Sequence, residues 1–125
     1  MKFATSLHLA RGLGSAKSGL HHWIAQRITA IALIPLGMWF VYTFILLLTA
    51  PYEIAKQWLS SPWTATFSIL FVFLIFYHGA LGLRVIWEDY VPQTFLKWAL
   101  IIGTQILSTL MAGLAILSIL KVFLS

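Results

Sequence analysis

The chain of 125 residues contains no cysteine. Disulfides, thiolate metal centres and cysteine-ligated iron–sulfur clusters are therefore excluded from it. Acidic residues are almost as scarce, with Glu53, Glu88 and Asp89 the only three. Charged residues make up 9% of the chain, against about a quarter in ordinary soluble domains. There is no G-x-G-x-x-G fingerprint, so the usual dinucleotide-binding turn is missing too.

What is present is apolar: 61% of the residues are hydrophobic. Three stretches, about Trp23–Ala50, Thr64–Trp87 and Trp98–Leu120, are long enough to cross a bilayer, for which about 20 residues suffice. Each is predicted as a helix, because backbone polar groups inside a membrane must be satisfied within the segment. The expected fold class is an all-α membrane protein of three transmembrane helices, with no second domain, repeat or low-complexity tract.

The formal net charge of +5 could suggest nucleic acid. The distribution argues otherwise. Lys2, Arg11, Lys17 and Arg27 lie before or at the start of the first apolar stretch, the arrangement that retains a segment on the cytoplasmic side of a membrane. No nucleic-acid partner is expected. The orientation follows: N-terminus cytoplasmic, C-terminus on the far side, and the Glu88–Lys97 connection cytoplasmic.

Residues 1–22 carry no acid and several Ser and Gly, and are expected to form an irregular cytoplasmic tail. A cleavable mitochondrial transit peptide has a similar composition and is the alternative. The membrane anchor proper is then 23–125. Pro35 predicts a local kink in the first span. The first connection, Pro51–Trp63, can hold a short interfacial helix, since Tyr52, Trp58 and Trp63 suit the headgroup level. Pro92 is expected to end the second span, because the residue before a proline avoids helical geometry. In the third span, Gly103 and Gly113 could let a neighbouring helix approach closely.

The stretch Phe76–Tyr90 carries the chemistry. His78 is the only one of four histidines expected at membrane depth, the others being His8, His21 and His22. Ionisable groups there usually mark a ligand site or a pathway. Two readings stay open: a buried histidine bonded to a neighbouring helix, or an axial ligand of haem. A haem with two histidine ligands would need the second from another polypeptide. Asp89 lies eleven residues on from His78, roughly 16 Å along the same helical face. Gly82, one turn after His78, leaves room for a large flat ligand.

Asp89 and Tyr90 read either as a solvated turn with an interface anchor or as a quinone headgroup site. A phenol can donate to a quinone carbonyl, and a carboxylate can orient that donor or relay protons. Arg27 and Arg84 either snorkel to headgroups or pair with haem propionates, and Arg27 is the stronger candidate. Thr29 can bond back within its own helix and need not be functional. Nothing in the sequence singles out Gln26.

Two motifs carry a family resemblance. The pattern H-x-x-x-G-x-x-x-x-x-x-D-Y, here His78, Gly82, Asp89 and Tyr90, resembles the second span of the small D-type membrane-anchor subunit of succinate dehydrogenase. The pattern H-x-x-x-x-x-R-x-T-A, here His21, Arg27, Thr29 and Ala30, is similar to that family's entry into its first span. Length, span number and orientation agree as well. His22 beside His21 leaves that match ambiguous by one residue.

The resemblance implies a role in complex II, with this chain as an electron-transfer subunit that performs no succinate chemistry itself. It implies a bundle completed by a larger C-type anchor subunit and docking of an iron–sulfur subunit and a flavoprotein subunit. FAD and the iron–sulfur clusters would reside only in those partners. It makes His78 an axial iron ligand of a haem b shared with the C-type anchor. Tyr90 would donate to the ubiquinone carbonyl with Asp89 in the proton path. Arg27, and less surely His21, would lie near the propionates. The implied location is a bacterial inner membrane, with the mitochondrial inner membrane as the alternative. A fumarate reductase anchor uses the same parts in the reverse direction. A haem-less structural or assembly protein is the reading from a different class. A small proton-coupled transporter is disfavoured, since all three acids fall in expected connections rather than inside a span.

Overall fold

A computed structural model describes residues 16–125, with side chains from Gly19 onward. It contains four helices: α1 (Ala16–Leu47), α2 (Tyr52–Leu59), α3 (Pro62–Tyr90) and α4 (Thr94–Leu124). Residues 19–47, 62–90 and 94–124 of α1, α3 and α4 are each long and apolar enough to span a bilayer. At 29 residues the shorter two reach about 43 Å, more than the ~30 Å hydrocarbon core. Their ends therefore project into the headgroup layers. The chain is an all-α membrane protein.

The element boundaries differ from expectation in one consistent direction: each spanning helix begins before its apolar run. Residues 16–22 are the first turns of α1, not part of an irregular tail. The rest of the expected tail, with Lys2, His8 and Arg11, lies outside the described residues. The second connection contracts from the expected Glu88–Lys97 to Val91–Gln93. Glu88 and Asp89 consequently belong to the last turn of α3, and Glu53 to the first turn of α2. Apolarity marks the bilayer crossing; the backbone ladder continues wherever nothing breaks it. Pro92 does break it, and Val91 before it is extended at φ −102°, ψ 106°. Pro35 does not end α1, which stays helical on both sides. The short helix expected in the first connection is present as α2.

α3 is the central helix, packed on α1 along one side and on α4 along another. Among the described residues, four of the six buried ones belong to it: Ala65, Ser68, Phe71 and Ala80. Phe71 stacks on Phe40 with ring centroids 4.3 Å apart. Trp39 stacks on Trp58 at 5.4 Å, which ties α2 to α1, and meets Phe67 edge-on at 5.7 Å. Lipid tails are as apolar as these side chains, so close packing rather than water exclusion favours the contacts. At the opposite end Trp87 Nε1 donates to Thr104 Oγ1 at 3.0 Å, joining α3 to α4 three residues before Tyr90. Gly103 and Gly113 give no close approach inside this chain, since a Cβ on either meets nothing within 4 Å.

No described side chain is fully enclosed, and large apolar residues stay exposed along α1 and α4. Such a thin array of helices leaves its apolar surface for lipid or for other membrane subunits.

Candidate functional site

The α1–α3 interface brings the candidate residues together. α1 enters from the end at which α3 leaves, so Thr29 and His78 meet although 49 positions apart. Thr29 Oγ1 lies 2.9 Å from His78 Nδ1. The same hydroxyl lies 2.7 Å from the Ala25 carbonyl oxygen and 3.1 Å from that of Gln26. Thr29 is buried, at 6% exposure, and His78 is half-buried.

His78 lines a cleft of about 260 Å³ with Trp23, Gln26, Arg27 and Ala30. Arg27 is exposed, and its guanidinium carbon lies 5.4 Å from the Trp23 ring centroid, a cation–π arrangement that steadies it at the cleft wall. Among the described residues one salt bridge forms, Arg84 Nε to Glu88 Oε1 at 2.8 Å, and it leaves Arg27 without a carboxylate. An imidazole and an unneutralised guanidinium thus share one cleft.

A second cleft of about 270 Å³ adjoins the first through Trp23 and Gln26 and runs toward the Tyr90 end of α3. Its walls include His22, Leu81, Arg84, Val85 and Glu88. Arg84 therefore lines the groove on the Tyr90 side of His78, held by Glu88 in its own helix. Of the neighbouring histidines, both exposed, His22 and not His21 lines this groove. Gly82 is half-buried, and a Cβ there would sit 4.0 Å from Gln26 Nε2. The Gln26 amide is thus the nearest neighbour of this position across the α1–α3 contact, at ordinary van der Waals distance.

Asp89 and Tyr90 are exposed at the end of α3 and are not brought into the His78 cleft. At 1.5 Å per residue they stand roughly 16–18 Å along the helix axis from His78. Their setting is nevertheless unusual. Glu88 and Asp89 occupy the helix end where carbonyls concentrate partial negative charge, and that turn holds no basic residue. Among the described residues Glu88 is offset by Arg84 from the preceding turn, whereas Asp89 forms no ion pair.

The groove between α3 and α4, about 250 Å³, is lined by Phe73, Phe76, Tyr77 and Gln105 among others. It offers neither a cation nor an imidazole. The imidazole and the guanidinium lie on the α1 side. No cluster of three or more His, Asp or Glu capable of holding a metal ion occurs among the described residues.

A family model described as the succinate dehydrogenase/fumarate reductase transmembrane subunit matches residues 1–117. The chain belongs to this family. Individual relatives agree with the assignment. The chain is 35% identical over 105 residues to the succinate dehydrogenase hydrophobic membrane anchor subunit of Rickettsia conorii, covering 83% of each chain. It is 35% identical over 108 residues, 86% of each chain, to the subunit of that name in Rickettsia bellii. The Paracoccus denitrificans subunit of that name is 31% identical over 102 residues, 81% of this chain and 78% of that one.

Thr29 enters the first-span motif with only a local role expected of it, and Gln26 and Trp23 carry no expected role at the site. A periodicity signal existed. Positions 22, 26 and 29 follow the i, i+4, i+7 spacing of one helix face. It went unused because polar residues near a span end have an ordinary interfacial reading.

Proposed function

We propose that this chain is the small anchor subunit of a succinate:ubiquinone oxidoreductase. It binds haem b jointly with a second, C-type anchor subunit and contributes to the ubiquinone site. It also docks the iron–sulfur and flavoprotein subunits at the membrane. The observation that carries the reading is the sharing of one membrane-depth cleft by His78 and an unpaired Arg27 in a member of this family.

The donor set fits a haem. His78 is bonded through Nδ1 to Thr29, and its ring borders the cleft with the other edge available. Arg27 supplies a guanidinium for a propionate, and Gln26 and Trp23 line the same space. A second protein ligand would come from the partner anchor. Bound there, the haem supplies a one-electron centre inside the membrane. Of this chain's residues, His78 would hold the iron and Arg27 would pair with a propionate.

Quinone chemistry belongs to the exposed end of α3. Tyr90 donates its phenolic hydrogen to a ubiquinone carbonyl. Asp89 beside it relays protons from the aqueous side, since reduction of a quinone consumes protons as well as electrons. Tyr90 is 81% exposed, which leaves its hydroxyl available to a ligand held between this chain and a partner. The iron–sulfur subunit covers this end and delivers electrons, so the acidic helix terminus becomes part of an interface.

The N-terminus lies in the cytoplasm, the C-terminus in the periplasm, and the membrane is a bacterial inner membrane. The early basic residues and the Rickettsia and Paracoccus relatives support this.

The test is purification through a tag on this chain from its native membrane. The expected product contains flavin and iron–sulfur subunits and reduces a ubiquinone analogue with succinate as donor. Deleting the gene should release the succinate-oxidising activity from the membrane fraction. A tagged chain that purifies without flavin, from cells whose dehydrogenase remains membrane-bound, would overturn the proposal.

A further inference from the structure

Thr29 does more than fill the helix contact. Its hydroxyl has one hydrogen to donate and three polar neighbours: the Ala25 carbonyl oxygen at 2.7 Å, the Gln26 carbonyl oxygen at 3.1 Å and His78 Nδ1 at 2.9 Å. The two carbonyls can only accept. If the hydroxyl hydrogen pointed at His78, Thr29 Oγ1 would face the Ala25 oxygen at 2.7 Å with no hydrogen between them. That is an unrelieved contact of two lone-pair bearers in a buried site. One assignment satisfies every atom. Thr29 donates to the Ala25 carbonyl, and His78 Nδ1–H donates to Thr29 Oγ1.

For a neutral ring this assignment fixes the tautomer. A neutral imidazole carries a single ring hydrogen, so a hydrogen on Nδ1 leaves Nε2 bare with its lone pair exposed. We propose that Thr29 is a positioning residue that locks His78 as the Nδ1–H tautomer and presents Nε2 as a ready ligand nitrogen. Resting on the haem reading, the ligand Nε2 meets is the iron.

The relay has a direction. The hydroxyl, already polarised by donating to a backbone carbonyl, becomes a better acceptor for Nδ1–H, and electron density at Nε2 rises. Outer-shell partners of this kind set both ring orientation and ligand basicity, and their loss typically lowers metal affinity about 10- to 100-fold. The bond also restrains rotation of the ring. That matters because His78 stands at the wall of an open cleft.

The test separates the tautomer from the haem. The full chain is prepared without haem in bicelles with ¹⁵N-labelled histidine, and long-range ¹⁵N–¹H correlation reports which ring nitrogen carries the hydrogen. His78→Gln identifies the His78 signals by their loss. Wild type and Thr29→Ser are expected to show Nδ1–H. Thr29→Val keeps the shape and removes the hydroxyl, and is expected to move the hydrogen to Nε2. A wild-type His78 protonated on Nε2 overturns the proposal, whether or not the valine variant folds. So does a folded Thr29→Val that keeps the Nδ1–H tautomer.

In the assembled complex Thr29→Val should retain haem about 10- to 100-fold more weakly at unchanged flavin content, with Thr29→Ser near wild type. Equal haem retention in the valine variant counts against the ligand-positioning role. A wild-type assembly lacking haem overturns the haem reading alone, and the tautomer assignment still stands or falls on the ¹⁵N spectra.

Discussion

Removing a single oxygen at Tyr90 tests the division of the chain into a haem region and a quinone region. Tyr90 is the last residue of α3 and is 81% exposed, so Tyr90→Phe strands no polar partner inside this chain and creates no cavity. Exposed substitutions of this kind stay within about 0.5 kcal/mol of neutral. Stability should therefore be unchanged. The quinone should lose one neutral hydrogen bond, worth about 0.5–1.5 kcal/mol, which is about 2- to 13-fold in kcat/KM. If the partner subunits desolvate the carbonyl, its stranding raises the loss toward about 3 kcal/mol, or ~160-fold. The way the loss divides is informative. A contact equal in ground and transition states raises KM, whereas one that strengthens as the quinone gains charge lowers kcat. The assay is succinate-driven reduction of a short-chain ubiquinone by the purified assembly. Succinate oxidation with an artificial dye acceptor serves as the internal control, since it bypasses the quinone site. The expected result is a fall in quinone kcat/KM with dye activity and haem absorbance unchanged. Unchanged quinone kcat/KM would refute the role given to the hydroxyl. A parallel fall in dye activity would refute the claim that the residue is structurally idle.

Further predictions concern the frame around the site. Glu88→Gln removes the Arg84 ion pair, but both side chains are more than a third exposed and the acid sits at a helix C-terminus; stability by denaturant titration should move by less than about 0.5 kcal/mol. Trp87→Phe and Thr104→Val, combined in a double-mutant cycle in bicelles, should give a coupling near the ~0.6 kcal/mol average for interhelical hydrogen bonds in membranes; zero coupling would mean that the 3.0 Å bond does not hold α3 to α4. Gly82→Ala should leave haem content intact, because its Cβ meets only Gln26 Nε2 at ordinary contact distance, 4.0 Å. Gly82→Leu should wedge α1 from α3 and lower haem content, so equal content in both variants would place Gly82 outside the site.

The three spans were legible because nothing but bilayer-length apolarity explains runs such as Thr64–Trp87. The tight turn was legible because Pro92 forces the residue before it out of the helix. The helix ends were misjudged for one reason. Hydropathy reports where lipid ends, whereas Gly19, His21 and His22 at one terminus and Glu88 and Asp89 at the other are polar yet perfectly able to be helical. The site was legible in its parts and less so in its pairings. His78 and Arg27 stood out as costly residues at or near membrane depth, and they do share a cleft. Thr29 carried a sufficient local explanation, the bond back to Ala25, and that bond is present. Its second partner, His78, is 49 positions away. A contact between two helices depends on their relative rotation and depth, which local spacing does not encode. Gly82 shows the converse. The missing side chain is visible in the sequence, whereas its neighbour across the helix contact, Gln26, is not.

The central claim is that His78 ligates a haem shared with a partner subunit. It is tested most directly by reduced-minus-oxidised optical spectra of the assembly purified through wild-type chain and through His78→Ala. The account predicts a b-type haem signal in the wild type that is lost or spectrally shifted in the variant, with flavin content equal in the two. An unchanged haem spectrum in His78→Ala, or no haem in a wild-type assembly that carries its flavin and iron–sulfur subunits, would contradict it.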